Sequence, residues 1–171
     1  MITCRKPTKS EYDQIVSLVN SADEIYHSIY TPQEFHERTC ASESIEGLIE
    51  GEKKREYLCM VDEQNKIIGY ASFRLKNDQT VWLSMIHIDP RHQWQGLGTL
   101  LLQQIEAIAK SLKASVLVLE TDKKAIWAVS FYTKNSYQIL SDEDMKEYPF
   151  DKILENNQVE GRYVFGKKLY T

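Results

Sequence analysis

The stretch Gln93-Trp94-Gln95-Gly96-Leu97-Gly98 sets two glycines, one residue apart, between an apolar run of strand type and an apolar stripe of helical type. A helix start leaves several backbone N–H groups without intrahelical partners, and glycine lets the chain turn tightly and lets a ligand approach the main chain. Those amides and the positive end of the helix dipole favour a bound anion by about 0.3–1 kcal/mol per favourable charge. A diphosphate suits such a turn; a glycine-containing connection that binds nothing is the plain alternative. Two other phosphate motifs compete for the same residues. A dinucleotide fold also uses G-x-G at a strand-to-helix turn, and Glu120 falls 22 residues after Gly98, near the offset of a ribose-binding acid. However, its third glycine position holds Leu101, and its motif strand opens a parallel unit rather than closing an antiparallel meander. A P-loop is excluded because no G-K-[ST] follows the glycines.

The elements that must position this turn follow from periodicity. After a short strand at 2–5, Thr8 and Glu11 have capping-box spacing, and Tyr12, Ile15, Val16 and Val19 recur as one helical face. Thr31-Pro32-Gln33-Glu34 is a second N-cap with proline at the first helical position, and Ile45, Leu48 and Ile49 add another stripe. Residues 31–52 are therefore helical in two pieces. The period then changes to two. Apolar runs at 57–61, 67–75 and 81–88, joined by short polar turns, predict an antiparallel meander that Pro90 stops. Leu97, Leu100, Leu101, Ile105, Ile108 and Leu112 trace a long helix. A Val/Leu-rich run at 115–120 predicts a buried strand, followed by a helix from about 124 to 134 and strands at 137–140 and 162–169. Between those last strands lie about twenty residues rich in acids (Asp142, Glu143, Asp144, Glu147, Asp151) with Tyr148 and Phe150. A loop of that length is usually functional or mobile.

Ile86-His87-Ile88-Asp89-Pro90, then Gln93-x-x-Gly96-x-Gly98, the Leu100-Leu101 helix, Glu120 and Phe131-Tyr132 occur in a recognisable order. Over residues 81 to about 140 the chain resembles the GNAT superfamily of acyl-CoA-dependent N-acetyltransferases, whose pyrophosphate motif Q/R-x-x-G-x-G/A is intact here. The resemblance implies an α/β (α+β) fold. Its sheet would be mixed, mostly antiparallel, of about six to seven strands, splayed beside the glycine turn, with helices on both faces, as a single N-acetyltransferase domain over 1–171. It also implies acetyl-CoA as cosubstrate. The pantetheine arm would pair like an added strand with main-chain groups of Ile86, His87 and Ile88. Gln93 opens the pyrophosphate motif, and the amides of Trp94, Gln95, Gly96, Leu97, Gly98 and Thr99 would surround the two phosphates.

Amide formation requires an amine that has lost its proton and a thiolate that gains one. The resemblance gives these tasks to Glu120, acting through water, and to Tyr132 twelve residues later. Read from residue type alone, Glu120 is equally a solvated strand-end acid, and Trp127-x-x-x-Phe131-Tyr132 has the spacing of core aromatics. His87, flanked by isoleucines, reads as backbone and packing rather than catalysis. Three positions depart from the family pattern. Ala125 stands where many members place a pantetheine-binding asparagine. Ser136 replaces the usual glycine before the final aromatic, with Asn135 next to it able to adopt the left-handed conformation. Trp82 stands where other members carry a carboxylate base, which favours Glu120 for that role.

At 171 residues, 42% apolar and 27% charged, the chain has the size and composition of one ordinary globular domain. Twenty-one basic against 25 acidic residues give a net charge of -4 and a pI near 5.6, which argues against a nucleic-acid partner. No apolar run approaches the ~20 residues of a membrane span, and the first residues lack a signal-peptide core, so a soluble cytoplasmic protein without a membrane partner is expected. Cys4, Cys40 and Cys59 fit neither a disulfide framework nor a metal-binding C-x-x-C, and no cluster has zinc spacing. The expected function is transfer of an acetyl group from acetyl-CoA to a primary amine by direct attack. The acceptor would be a small cationic amine or a lysine-like group, lined by Tyr26, Tyr30, Tyr148 and Phe150. The alternatives are a non-catalytic acyl-CoA-binding module or a protein N-terminal or lysine acetyltransferase, working as monomer or homodimer.

Overall fold

The computed structural model describes residues 2–38, 43–147 and 161–170. Its strands are β1 (Thr3–Arg5), β2 (Glu56–Val61), β3 (Ile67–Asn77), β4 (Thr80–Ile88), β5 (Val116–Asp122), β6 (Gln138–Ile139) and β7 (Arg162–Lys168). They form one sheet in the order β1-β2-β3-β4-β5-β7-β6. The helices are α1 (Tyr12–Asp23), α2 (Pro32–Arg38), α3 (Ile45–Gly51), α4 (Leu97–Ser111), α5 (Ile126–Lys134) and α6 (Asp142–Glu147). The sheet is mixed and mostly antiparallel: β4 and β5 run parallel, whereas β1/β2, β2/β3, β5/β7 and β6/β7 are antiparallel. The chain divides into two compact units, residues 1–73 with 85–105 and residues 74–84 with 106–171.

In the first unit the apolar stripe of α1 (Tyr12, Ile15, Val19) is buried with Leu48 of α3 against Tyr57, Cys59 and Tyr70 of the meander. The Tyr57 hydroxyl donates to the Leu48 carbonyl at 2.9 Å, and the Tyr12 hydroxyl donates to Glu52, so buried polar groups tie α3 to the strand and helix beneath it. The other face of β3 meets α4 at Gly69. A Cβ there would lie 2.9 Å from Ile88 Cδ1 and 3.4 Å from Leu101 Cδ2, so the absence of a side chain lets helix and strand close on one another. Both expected caps form. Thr31 and Glu34 bond reciprocally at 2.9 and 3.2 Å, while the Glu11 carboxylate accepts the Thr8 N–H at 2.8 Å and a two-pronged Arg5 guanidinium at 2.6 and 2.9 Å. The Arg5 guanidinium and that N–H hold the Glu11 carboxyl down at about 2.

In the second unit β5 pairs with β7 from Val116↔Lys168 to Asp122↔Arg162, and with β4 from Thr80↔Val116 to Leu83↔Leu119. Strand alternation sends Val116 and Val118 to one face, where they pack with Leu140, Val164, Trp82 and Met145. Trp82 is therefore a packing residue. The sequence reading leaves everything between β6 and β7 as loop, but the segment opens with α6. Ser141 and Asp144 exchange backbone bonds at 2.9 and 3.1 Å, and this Ser-x-x-Asp capping box was legible in the sequence beneath the run of acids.

Helix α5 ends differently from expectation. Asn135 stays near φ -92°, and Ser136 itself takes the left-handed conformation at φ 66°. The Tyr137 N–H reaches the Tyr132 carbonyl at 3.0 Å and the Ser136 N–H reaches Thr133 at 3.1 Å, the bond pattern of a Schellman cap. A non-glycine residue there is strained by about 1 kcal/mol. Ser136→Gly should raise stability by about 0.5–1 kcal/mol after glycine's greater chain entropy is subtracted, seen as a melting temperature up by about 1–4 °C. An unchanged or lower melting point would show that the serine side chain supports the cap.

Candidate functional site

The glycine turn begins where β4 stops. The Asp89 N–H bonds to the Ile68 carbonyl at 2.9 Å, and its carboxylate accepts the Arg91 N–H at 2.9 Å and the Arg91 guanidinium at 2.6 and 3.0 Å. That guanidinium holds the Asp89 carboxyl down at about 2. Gln93 turns its side-chain amide back to the Ile88 carbonyl at 3.1 Å, so it braces the turn. Trp94 and Gly96 then take left-handed conformations at φ 63° and 80°, and α4 begins with Leu100 N–H bonded to the Gly96 carbonyl at 3.1 Å. No hydrogen bond among the described residues uses the N–H groups of residues 94–99. A Cβ built on Gly96 meets nothing within 4 Å, so the space in front of the turn is open. The left-handed conformation of Trp94, a residue 85% exposed, has no local signal beyond the need to reverse the chain before α4.

Residues 85–88 of β4 extend past Leu83, the last residue paired with β5. Ile88 lies over Gly69 on the α4 face, while Met85 joins the core under α1. By alternation His87 shares the α1 side. There its Nδ1 stands 3.7 Å from Oδ1 of Asp23, the last residue of α1. Burial pulls the His87 imidazole down to about 4 and pushes the Asp23 carboxyl up to about 6. Asp23 escaped the sequence reading, although Ile15, Val19 and Asp23 fall at i, i+4 and i+8, which puts a carboxylate on the apolar stripe. Tyr26 and Tyr30 follow it and stack at 5.6 Å with planes 9° apart. Tyr148 and Phe150 lie outside the described residues.

In the second unit Glu120 stands on β5 opposite Val164. Its Oε2 is 3.7 Å from Arg162 Nη1, and its buried Oε1 has no hydrogen-bond partner among the described residues. Burial raises this carboxyl above its ordinary range against the opposing pull of Arg162. Tyr132 sits on α5 with its ring 5.6 Å from Phe165 and 5.9 Å from Tyr137. Phe165 pairs with Leu119, the neighbour of Glu120, so Tyr132 and Glu120 belong to opposite faces of β5. The end of α5 is anchored below: Tyr137 donates to Glu106 at 2.9 Å, and Lys167 reaches both Glu106 at 2.9 Å and the Asn135 carbonyl at 3.1 Å. Ala125 is fully buried at the head of α5, and its backbone N–H bonds to the Asp122 carbonyl at 3.1 Å.

Among the described residues no group of three or more His, Cys, Asp or Glu side chains is placed to hold a metal ion, and no helix is long and apolar enough to cross a membrane. Cys4 and Cys59 are free thiols, and burial pushes Cys59 up to about 12.

A family model described as "Acetyltransferase (GNAT) family" matches residues 15–137. The Bacillus subtilis (strain 168) protein "Uncharacterized protein YdhI" is 32% identical over 78 residues, 46% of this chain. The chain spans about half, 47%, of the length of that curated relative. Among solved structures, the PaiA N-acetyltransferase of Thermoplasma acidophilum in complex with coenzyme A superposes with a TM-score of 0.78 at 16% identity, over 98% of this chain and 99% of that one. A GNAT-family acetyltransferase of Staphylococcus aureus Mu50 gives 0.73 at 16% identity, over 99% and 100%. At such identities the likeness shows the fold. With the family model spanning well over half of the sequence, the chain belongs to the GNAT family of acetyltransferases.

Proposed function

We propose that the protein is a single N-acetyltransferase domain that moves an acetyl group from acetyl-CoA to a primary amine by direct attack, without a covalent enzyme intermediate. The observation that carries this reading is the row of N–H groups at 94–99 with no hydrogen-bond partner among the described residues, together with the open space at Gly96. Six undonated amides at a helix start fit a pyrophosphate, which accepts several hydrogen bonds and complements the dipole. Gln93, which braces the turn, keeps those amides in place. Main-chain groups of Ile86, His87 and Ile88, past the last residue paired with β5, are available to the pantetheine arm. The amine's lone pair attacks the thioester carbonyl, its proton leaves through water to Glu120, and the Tyr132 hydroxyl gives a proton to the departing thiolate. The acceptor in this reading is a cationic amine, free or as a lysine side chain, near Tyr26 and Tyr30.

Purified protein mixed with acetyl-CoA and a panel of primary amines should release free CoA, measured with a thiol reagent. Binding of acetyl-CoA with no release across the panel would leave an acyl-CoA-binding module, the reading that the buried Ala125 in place of a polar pantetheine contact favours. A pH profile tests Glu120. Its raised pKa means that the charged, proton-accepting form is lost, and the rate falls, as pH drops through a value above the ordinary carboxylate range. Glu120→Gln should lack that acid limb and be slowest, relative to the native protein, below the amine's own pKa. An unaltered profile would instead assign deprotonation to solvent.

A further inference from the structure

Asp23 is 2% exposed, yet among the described residues no hydrogen bond reaches either of its carboxylate oxygens. Oδ2 has no partner, and Oδ1 lies 3.7 Å from the His87 Nδ1, beyond hydrogen-bond reach. Buried polar groups in folded proteins are almost always paired, and an ionised carboxylate left unpaired is strongly disfavoured unless a cation joins it. A carboxylate serving only the fold would have its partner within the fold, as Glu106 does with Lys167 and Tyr137. Here the group beside it is an imidazole on β4 with 14% of its side chain exposed, held by burial in the neutral form, so it does not repel a cation and can accept a hydrogen bond. A single 3-10 turn, Glu24–Ser28, follows Asp23 and carries Tyr26, which stacks on Tyr30; the faces of such rings favour alkylammonium ions.

We propose that Asp23 and His87 form a binding site for an alkylammonium ion, with the Asp23 carboxylate as its anionic partner and the His87 imidazole as a neighbouring acceptor. The assignment rests on the acetyltransferase reading only in identifying that ion with the acceptor amine. The site itself stands on the orphaned carboxylate. It accounts for a charge that the packing leaves without a mate, and it selects cationic acceptors over neutral ones of the same shape.

Calorimetry without any thioester, with and without coenzyme A, tests the site directly. The probes are butylamine for a free amine and Nα-acetyl-lysinamide for a lysine within a chain, at a pH where both are protonated, with 1-butanol as the neutral isostere. The native protein should bind at least one of the two cations saturably and 1-butanol no better than background; the tighter cation identifies the source. Asp23→Asn should weaken that binding at least tenfold while acetyl-CoA affinity is unchanged and the melting temperature does not fall. Equal cation affinity in Asp23→Asn, equal affinity for 1-butanol, or no binding of either cation overturns the site. Should the variant fail to fold, the native protein decides: the cation must shift the His87 imidazole resonances in a proton–carbon NMR spectrum, and unmoved resonances at saturating amine overturn it as well. CoA release with an unchanged amine KM in Asp23→Asn would remove this site and leave the acetyltransferase reading intact. Cation binding through Asp23 without turnover would do the reverse.

Discussion

Tyr132→Phe should lower the turnover of acetyl-CoA and amine by about 10²–10⁴-fold, the usual contribution of a positioned proton donor, while acetyl-CoA binds as before. The substitution removes one oxygen and keeps the ring, whose contacts with Phe165, Tyr137 and Phe131 hold it in the second unit. The backbone that carries the ring is fixed by the Tyr137 N–H on the Tyr132 carbonyl, a bond the variant retains. A loss of rate with an unaltered melting temperature and an unaltered donor affinity therefore isolates the hydroxyl. A native rate in the variant would remove Tyr132 from the chemistry and return it to the core, the role its aromatic neighbours already explain.

Replacing Gly96 by valine should weaken acetyl-CoA binding by at least 100-fold, about 2.8 kcal/mol, with a smaller effect for alanine. Two effects combine. At φ 80° a β-branched residue is strained by about 1–3 kcal/mol, so the turn relaxes and its amides lose their common aim. The new side chain also enters space at the turn that no described residue fills and that the phosphates would use. Because no described residue lies within 4 Å of that Cβ, thermal stability should fall by no more than the backbone strain. Calorimetric titration with acetyl-CoA compares the variants, and native affinity in Gly96→Val would mean that the amides of 94–99 are not the phosphate cradle.

Local sequence rules reached far into this molecule because most of its elements obey them. The period-two runs at 57–61, 67–75 and 81–88 became β2, β3 and β4, and the capping pairs Thr8/Glu11 and Thr31/Glu34 formed at the helix starts where they were read. The misses share a physical cause. Helix α6 was hidden because a run of acids resembles a solvated loop, while the Ser141/Asp144 bonds that start it carry a weaker signal than composition. At the end of α5 residue type makes Asn135 able to take the left-handed conformation, but it is Ser136 that takes it, so that Tyr137 closes the Schellman cap.

What the sequence determined by itself is whatever depends on neighbours along the chain: the helical and strand periods, the caps, and the glycine turn, whose amides are set by residues within a few positions of one another. What only the tertiary structure decided depends on residues far apart in the chain. Asp23 and His87 are 64 positions apart in sequence and meet through the packing of α1 on the meander. The register of β5 with β7 puts Glu120 and the Tyr132 ring on opposite faces of one strand. Periodicity carries no record of which distant partner an atom meets or of the strain a contact imposes, because both are settled only when the elements close on one another.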